Sequence, residues 1–351
     1  MNCKKMSIIT LCITLCLLIV VGGTMALFDP YFHFHKPFDF QSYSLHNQRY
    51  QNDGITRHFE YNAIITGTSM TENFKTSEFN ELFSVNSIKI PYSGASLKEI
   101  NDVIERAIER NSDVCMVLRS LDHYKLFEEK DTMSYTDYPE YLYDDNPFND
   151  TNYLFNKDIL LGDAYQTVMM TLKHTPHTTF DEYSNWNNTS TFGKEAVLNS
   201  YSRGEVSDTI NKFTEEDYKI VEGTVAKNLI ESAKLHPDTE FYFFLPPYSM
   251  VYWDSLYTAG DIERHLEAQK LAINMMLRQE NIHVFSFMTD YDTICNLDNY
   301  KDISHYKEEI NSAILSHIKQ GEYEITKENC NEYFAEVYDY YTTYDYDSLF
   351  E

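Results

Sequence analysis

The chain has 351 residues, 43% of them apolar, which suffices for one large domain or a domain carrying a sizeable insertion. Its 28 basic and 55 acidic residues leave a net charge of −27, which argues against nucleic acid as a partner and repels the body of the chain from an anionic membrane surface. Six cysteines occur without any CxxC spacing, and Cys3, Cys12 and Cys16 lie in or beside the first apolar run, so neither a disulfide framework nor a zinc site is expected.

Residues 1–6 carry Lys4 and Lys5, and residues 7–28 open with the uncharged run SIITLCITLCLLIVVGGTMAL. A helix of that length covers the ~30 Å hydrocarbon core of a bilayer. The two lysines favour a cytoplasmic N-terminus, so a single-pass anchor is predicted with everything after Phe28 outside the cell. The competing reading is a cleaved signal peptide, for which Thr24-Met25-Ala26 makes a poor cleavage site. Residues 29–60, rich in aromatics and histidine (DPYFHFHKPFDF), read as a membrane-proximal stalk in which His33, His35 and His58 are structural.

From residue 61 short apolar runs alternate with helical patterns. Strands are predicted at 61–66 (YNAIIT), 85–90, 113–118 (DVCMVL), 240–245 (EFYFFL) and 282–287. Helical spacing covers 71–83, the segment from Ser96, 215–235, 262–278 and 306–318. Ser96 and Glu99 form an S-x-x-E capping box at the start of the second of these. Residues 120–205 break the regularity as an acidic insertion rich in Tyr and Asn, with one helical piece at 159–172. The acidic, Tyr-rich tail at 321–351 either packs on the domain or frays. The expected class is α/β, a three-layer α/β/α sandwich over residues 61–320 with a parallel five-stranded sheet, flavodoxin-like in type.

Two motifs carry chemistry. After the first strand comes Gly67-Thr68-Ser69-Met70, where a serine lies at the carboxyl end of a parallel sheet and a helix start aims N–H groups at developing negative charge. After the last strand comes Asp302-Ile303-Ser304-His305, which in a helical turn projects Asp302 and His305 to one side. A carboxylate that orients a histidine beside a serine is what nucleophilic acyl chemistry requires. Ser69, His305 and Asp302 are therefore the expected catalytic triad.

With GTS (67–69) after the first strand and DISH (302–305) after the last, the sequence resembles the SGNH/GDSL hydrolase superfamily. The strings IITGTSMTENF, FYFFLPPYS and NLDNYKD resemble a membrane-anchored branch of Gram-positive bacteria, near the proteins that acylate cell-surface polymers. The resemblance spans roughly residues 55–320. It implies that the N–H of Gly94, in the loop Tyr92-Ser93-Gly94, joins the N–H of Ser69 in an oxyanion hole. The family's G-x-N-D block is absent: residues 118–122 read Leu-Arg-Ser-Leu-Asp. Asn73 and Arg119 are the candidates for the missing donor, or the hole works with two donors; losing one donor typically costs ~10²–10³ in rate.

Tyr248 and Ser249 close the fourth strand's FYFFLPPYS and are expected either to line the pocket or to follow a strand stopped by its double proline. His174-x-x-His177 reads as a surface loop more readily than a metal site, and Trp186 either stacks on a sugar or packs its own insertion. The resulting expectation is an extracytoplasmic serine esterase or O-acyltransferase that needs no metal or organic cofactor. Its substrate would be a cell-envelope glycan or teichoic acid, and a multi-span membrane acyltransferase is a candidate partner. The rival readings are a non-catalytic partner of such an acyltransferase and a carbohydrate-binding surface protein.

Overall fold

The computed structural model describes residues 3–135 and 137–350, which fall into two compact units. One unit joins residues 1–59 to residues 137–179. Its helix Cys3–Phe28 has 26 residues, about 39 Å at the usual helical rise, and is long and apolar enough to span a membrane. The helix ends inside a folded core, where Met25 is fully buried with Tyr31, Leu142, Tyr153, Ile159 and Ala164. Just beyond it Asp29 accepts the backbone N–H groups of His33 (3.0 Å), Phe34 (2.7 Å) and His35 (3.1 Å) and the Tyr153 hydroxyl (2.8 Å). Histidines serve the same packing: His33 Nε2 lies 2.9 Å from Asp150 and His35 Nε2 lies 2.8 Å from the Ala26 carbonyl. The helical piece of the insertion runs from 157 to 172 and belongs to this unit.

The other unit joins residues 60–136 to residues 180–351. Its strands β1 (Ala63–Thr66), β2 (Ser87–Lys89), β3 (Met116–Ser120), β4 (Glu240–Leu245), β5 (Ile282–Ser286) and β6 (Glu324–Ile325) form one sheet in the order β2-β1-β3-β4-β5-β6. Neighbours among β1–β5 run parallel, with Ile64 opposite both Ile88 and Val117 and Phe243 opposite Val284. The sixth strand pairs antiparallel with β5, Ile325 facing Val284. The sheet is therefore six-stranded and mixed, which corrects the five-stranded parallel expectation. A two-residue strand is too short to show alternation in the sequence.

Successive side chains of β4 point to opposite faces of the sheet, as the pleat demands. Phe243 lies under the Arg119 guanidinium at 5.7 Å, and Arg119 donates to the carbonyls of Leu97 (3.0 Å) and Asn228 (2.8 Å). Tyr242 and Phe244 point the other way, onto Phe83 and Phe74. The helix Leu97–Arg110 begins with the expected capping box, Ser96 Oγ accepting the Glu99 N–H at 3.2 Å and Glu99 accepting the Ser96 N–H at 2.8 Å. That helix buries Leu97, Ile100, Val103, Ile104 and Ile108 along one face. Several helices were not anticipated, Gln48–His58 and Lys194–Ser200 among them. Met250–Ala259 buries Met250, Val251, Trp253 and Leu256 with little periodicity, and Cys330–Thr343 packs the tail through Phe334, Val337 and Tyr341. The tail thus packs instead of fraying, with the Tyr341 ring stacked 3.9 Å from Trp253.

Candidate active site

The parallel strands bring the loops after β1, β2, β3 and β4 to one edge of the sheet. β1 ends at Thr66, and Gly67 turns the chain with φ of +146°; a Cβ there would come within 2.2 Å of Ser120 Oγ. A short 3₁₀ turn, Ser69–Thr71, follows, with Thr68 as its cap. Ser69 Oγ lies 2.7 Å from His305 Nε2, and His305 Nδ1 lies 2.8 Å from Asp302 Oδ2. The structure thus brings Ser69, His305 and Asp302 together from positions 236 residues apart in the chain. His305 keeps 26% and Asp302 30% of its side chain exposed, so the relay is reachable from solvent.

The D-x-x-H segment is not a helical turn. Asp302 Oδ1 accepts the backbone N–H groups of Ser304 (2.9 Å) and His305 (2.8 Å), and the loop is closed by a Tyr300–Tyr306 bridge. One carboxylate oxygen therefore shapes the turn, while both lie against the imidazole, Oδ2 at 2.8 Å and Oδ1 at 3.0 Å. Burial acts to raise the Asp302 pKa, but the His305 hydrogen bond and charge, with the two backbone donors, outweigh it and hold the group at about 2. An ionised Asp302 fixes Nδ1–H as the protonated nitrogen and leaves Nε2 to accept from Ser69.

Beneath the serine sits a bracket that the motifs do not reveal. Asp122, 2% exposed, accepts the hydroxyls of Thr68 (2.9 Å), Ser120 (3.2 Å) and Tyr248. Ser120 Oγ in turn accepts the Thr68 N–H at 3.3 Å. One carboxyl thereby ties the Ser69 loop to β3 and to the loop after β4. Lys89, fully buried on β2, donates from Nζ to the carbonyls of Glu72 (2.6 Å) and Phe74 (2.8 Å) and pins the far end of the same loop.

Tyr248 and Ser249, expected in one reading to line a pocket, are 2% and 0% exposed. Tyr248 serves the Asp122 bracket, and Ser249 Oγ donates to the Ile303 carbonyl at 2.7 Å, so both support the loops that carry Ser69 and His305 from below. Tyr300 adds a third tie, its hydroxyl donating to the Pro247 carbonyl at 2.7 Å.

For the oxyanion, the backbone N–H groups of Ser69 and Gly94 donate to no acceptor among the described residues. Gly94 sits on an exposed turn with φ of +68°, and the Tyr92 N–H donates to the Gly67 carbonyl at 2.8 Å, which lays this turn beside the Ser69 loop. Neither side-chain candidate joins them. Arg119 is buried and spends its guanidinium on carbonyls of helices against the sheet. Asn73 Oδ1 accepts the Trp186 N–H at 3.1 Å, while its Nδ2 is closed off from solvent without a partner; a donor with no accessible surface cannot meet a substrate oxygen in this conformation.

Trp186 forms a wall of the site. Its ring meets His305 edge-on at 5.6 Å, Lys301 Nζ lies 3.5 Å from its centroid, and Phe192 stacks at 6.3 Å. Those contacts set Trp186 as a buttress for the imidazole. Elsewhere His177 stacks on Tyr43 at 4.8 Å, and among the described residues no group of three His, Cys, Asp or Glu side chains is arranged to hold a metal ion. No protein-family model, curated protein or solved structure matches this chain.

Proposed function

We propose that the protein is a serine esterase or O-acyltransferase that acts outside the cytoplasm on ester groups of a cell-envelope polysaccharide or teichoic acid. The observation that carries this reading is the continuous relay Ser69 Oγ–His305 Nε2 and His305 Nδ1–Asp302, partly exposed at the carboxyl edge of the parallel strands. His305 Nε2 takes the Ser69 proton as Oγ attacks the ester carbon, and Asp302 stabilises the imidazolium. The N–H groups of Ser69 and Gly94 meet the oxygen that gains negative charge. As the tetrahedral intermediate collapses, His305 returns the proton to the leaving alcohol and an acyl-Ser69 remains. Water then releases the acid, or a polymer hydroxyl takes the acyl group, in each case with His305 accepting the attacking proton and handing it back to Ser69.

The resemblance of the GTS and DISH motifs to the SGNH/GDSL superfamily supports this assignment, and with it a three-layer, flavodoxin-like arrangement of the sheet domain. The envelope setting rests on that resemblance and on the apolar helix Cys3–Phe28, with Lys4 and Lys5 on the cytoplasmic side. Burial of Met25 in a folded core supports retention of the helix as an anchor, since cleavage after it would remove a core side chain. A multi-span membrane acyltransferase is the partner we favour for delivery of the acyl group.

The test is intact-mass spectrometry of the full chain in detergent after exposure to a fluorophosphonate. One adduct on wild type, lost in Ser69→Ala and in His305→Ala, is the expected result. Absence of an adduct on folded wild-type protein would refute an activated Ser69.

A further inference from the structure

The helical stretch 157–172 carries two faces. Ile159, Ala164 and Thr167 are buried in the core of its unit. A second face, Leu161, Tyr165 and Leu172 with the half-buried Val168 between them, follows the spacing i, i+4, i+7, i+11 of a helical stripe, Leu161 lying in a π-helical turn, Leu160–Ala164. Leu161 is 73%, Tyr165 60% and Leu172 69% exposed, values that no soluble helix needs for its own packing. The occupant of this face is indicated by what lies next to it. Helix Cys3–Phe28 packs against Thr151–Leu154 and against Leu160–Ala164 within the same unit. A Cβ at Gly22 would lie 3.4 Å from the Phe155 ring, which is itself 43% exposed. Gly22 precedes the helix end at Phe28 by six residues, about 9 Å along the axis. That matches the ~5–10 Å to which an interfacial helix buries its apolar face.

A second exposed apolar element belongs to the same helix end. Phe38 and Phe40 stack at 5.5 Å and are 41% and 63% exposed. Their loop is tied to the end of Cys3–Phe28 by Gln41 Nε2 donating to the Phe28 carbonyl and by His35 Nε2, 2.8 Å from the Ala26 carbonyl. Aromatic rings of this kind gather where a spanning helix leaves the hydrocarbon. The stretch carries Lys157 and Asp158 at its start, Asp163 within and Lys173 just after its end, two bases against two acids in a chain of net charge −27. Attraction to anionic headgroups therefore does not drive the contact; apolar insertion does.

We infer that residues 157–172 form an interfacial helix that lies on the lipid bilayer beside the spanning helix, with Leu161, Tyr165, Val168 and Leu172 toward the acyl chains and Phe38 and Phe40 at the headgroup boundary. The inference rests on Cys3–Phe28 being embedded in a membrane and is independent of the chemistry at Ser69. It gives the folded part of the chain a second point of contact with the membrane, so the unit is held in a fixed attitude instead of swinging from a single tether.

The experiment places the photoreactive residue p-benzoylphenylalanine singly at Leu161, Tyr165, Leu172, Gln166 or Leu15 of the full chain in nanodiscs of phosphatidylcholine and phosphatidylglycerol. Mass spectrometry then detects adducts after irradiation. Phospholipid adducts at 161, 165 and 172, several-fold above those at the exposed polar position 166, are expected. Adducts at Leu15 with none on the stripe would overturn the inference, as would cross-links from the stripe to a second copy of the chain. Absence of lipid adducts at Leu15 as well would overturn both this inference and the anchored topology, and would leave the fluorophosphonate test of Ser69 standing separately.

Discussion

Asp122→Ala removes the acceptor for three buried hydroxyls, those of Thr68, Ser120 and Tyr248. A buried hydroxyl left without a partner costs ~1–3 kcal/mol, so the loss of three is about 3–9 kcal/mol, with the lower end applying where water enters the space the carboxyl leaves. Asp122→Asn preserves shape and one acceptor oxygen, and its cost should be about 1–2 kcal/mol. The kinetic effect follows from position. Thr68 adjoins Ser69 and caps its turn, so releasing Thr68 shifts Ser69 Oγ against His305. A displacement near 1 Å at a reacting atom lowers the rate by up to ~10²-fold. Urea unfolding of the full chain in detergent, alongside the rate of fluorophosphonate labelling at Ser69, should therefore rank wild type above Asp122→Asn above Asp122→Ala in both readouts. An Asp122→Ala protein within about 1 kcal/mol of wild type and labelled at an unchanged rate would refute the bracket.

Asp302→Asn should slow labelling of Ser69 by about 10³–10⁴-fold with little change in fold, because the amide no longer fixes Nδ1–H; an unchanged labelling rate would remove Asp302 from the relay. Acid should destabilise the domain through the buried pair His123 and His265, whose Nδ1 atoms lie 3.2 Å apart and which are 1% and 8% exposed. Burial, and for His123 also repulsion from His265, depresses the pKa of both, that of His265 to about 4. A folded value below the unfolded one near 6.5 gives stability that is complete above that value and lost as the pH falls toward 4. His265 alone accounts for about 3 kcal/mol at ~1.4 kcal/mol per unit. Thermal unfolding between pH 7 and pH 4 measures it, and a His265→Leu protein whose pH dependence matches wild type would show that the loss lies elsewhere.

Much of the architecture was legible because it is written locally. The buried apolar runs of β1, β3, β4 and β5 announce strands, and Ser96 with Glu99 announces a helix start, since each pattern depends on neighbours within one turn or one pleat. The GTS and DISH motifs likewise name the three side chains that meet at Ser69, because parallel strands deliver their carboxyl ends to one edge. The helix Cys330–Thr343 escaped notice for the opposite reason: with Tyr at so many positions, the buried set Cys330, Phe334, Val337 and Tyr341 does not stand out from its exposed neighbours.

What surrounds the relay was decided only by tertiary structure. Asp122 draws its partners from 54 residues upstream and 126 downstream, and Trp186 reaches His305 from an insertion with no periodicity of its own. Residues 137–179 join 1–59 in one unit although 77 residues of the other unit, 60–136, separate them in the chain. Local pattern records which way a side chain faces relative to its own helix or strand. It does not record which distant group will meet that side chain, because such a pairing depends on how whole elements pack, and the same Asp or Trp would serve many packings. The meeting of Ser69, His305 and Asp302 was therefore readable from those residues themselves, while the supports that hold Ser69 and His305 at 2.7 Å appear only once the chain is folded.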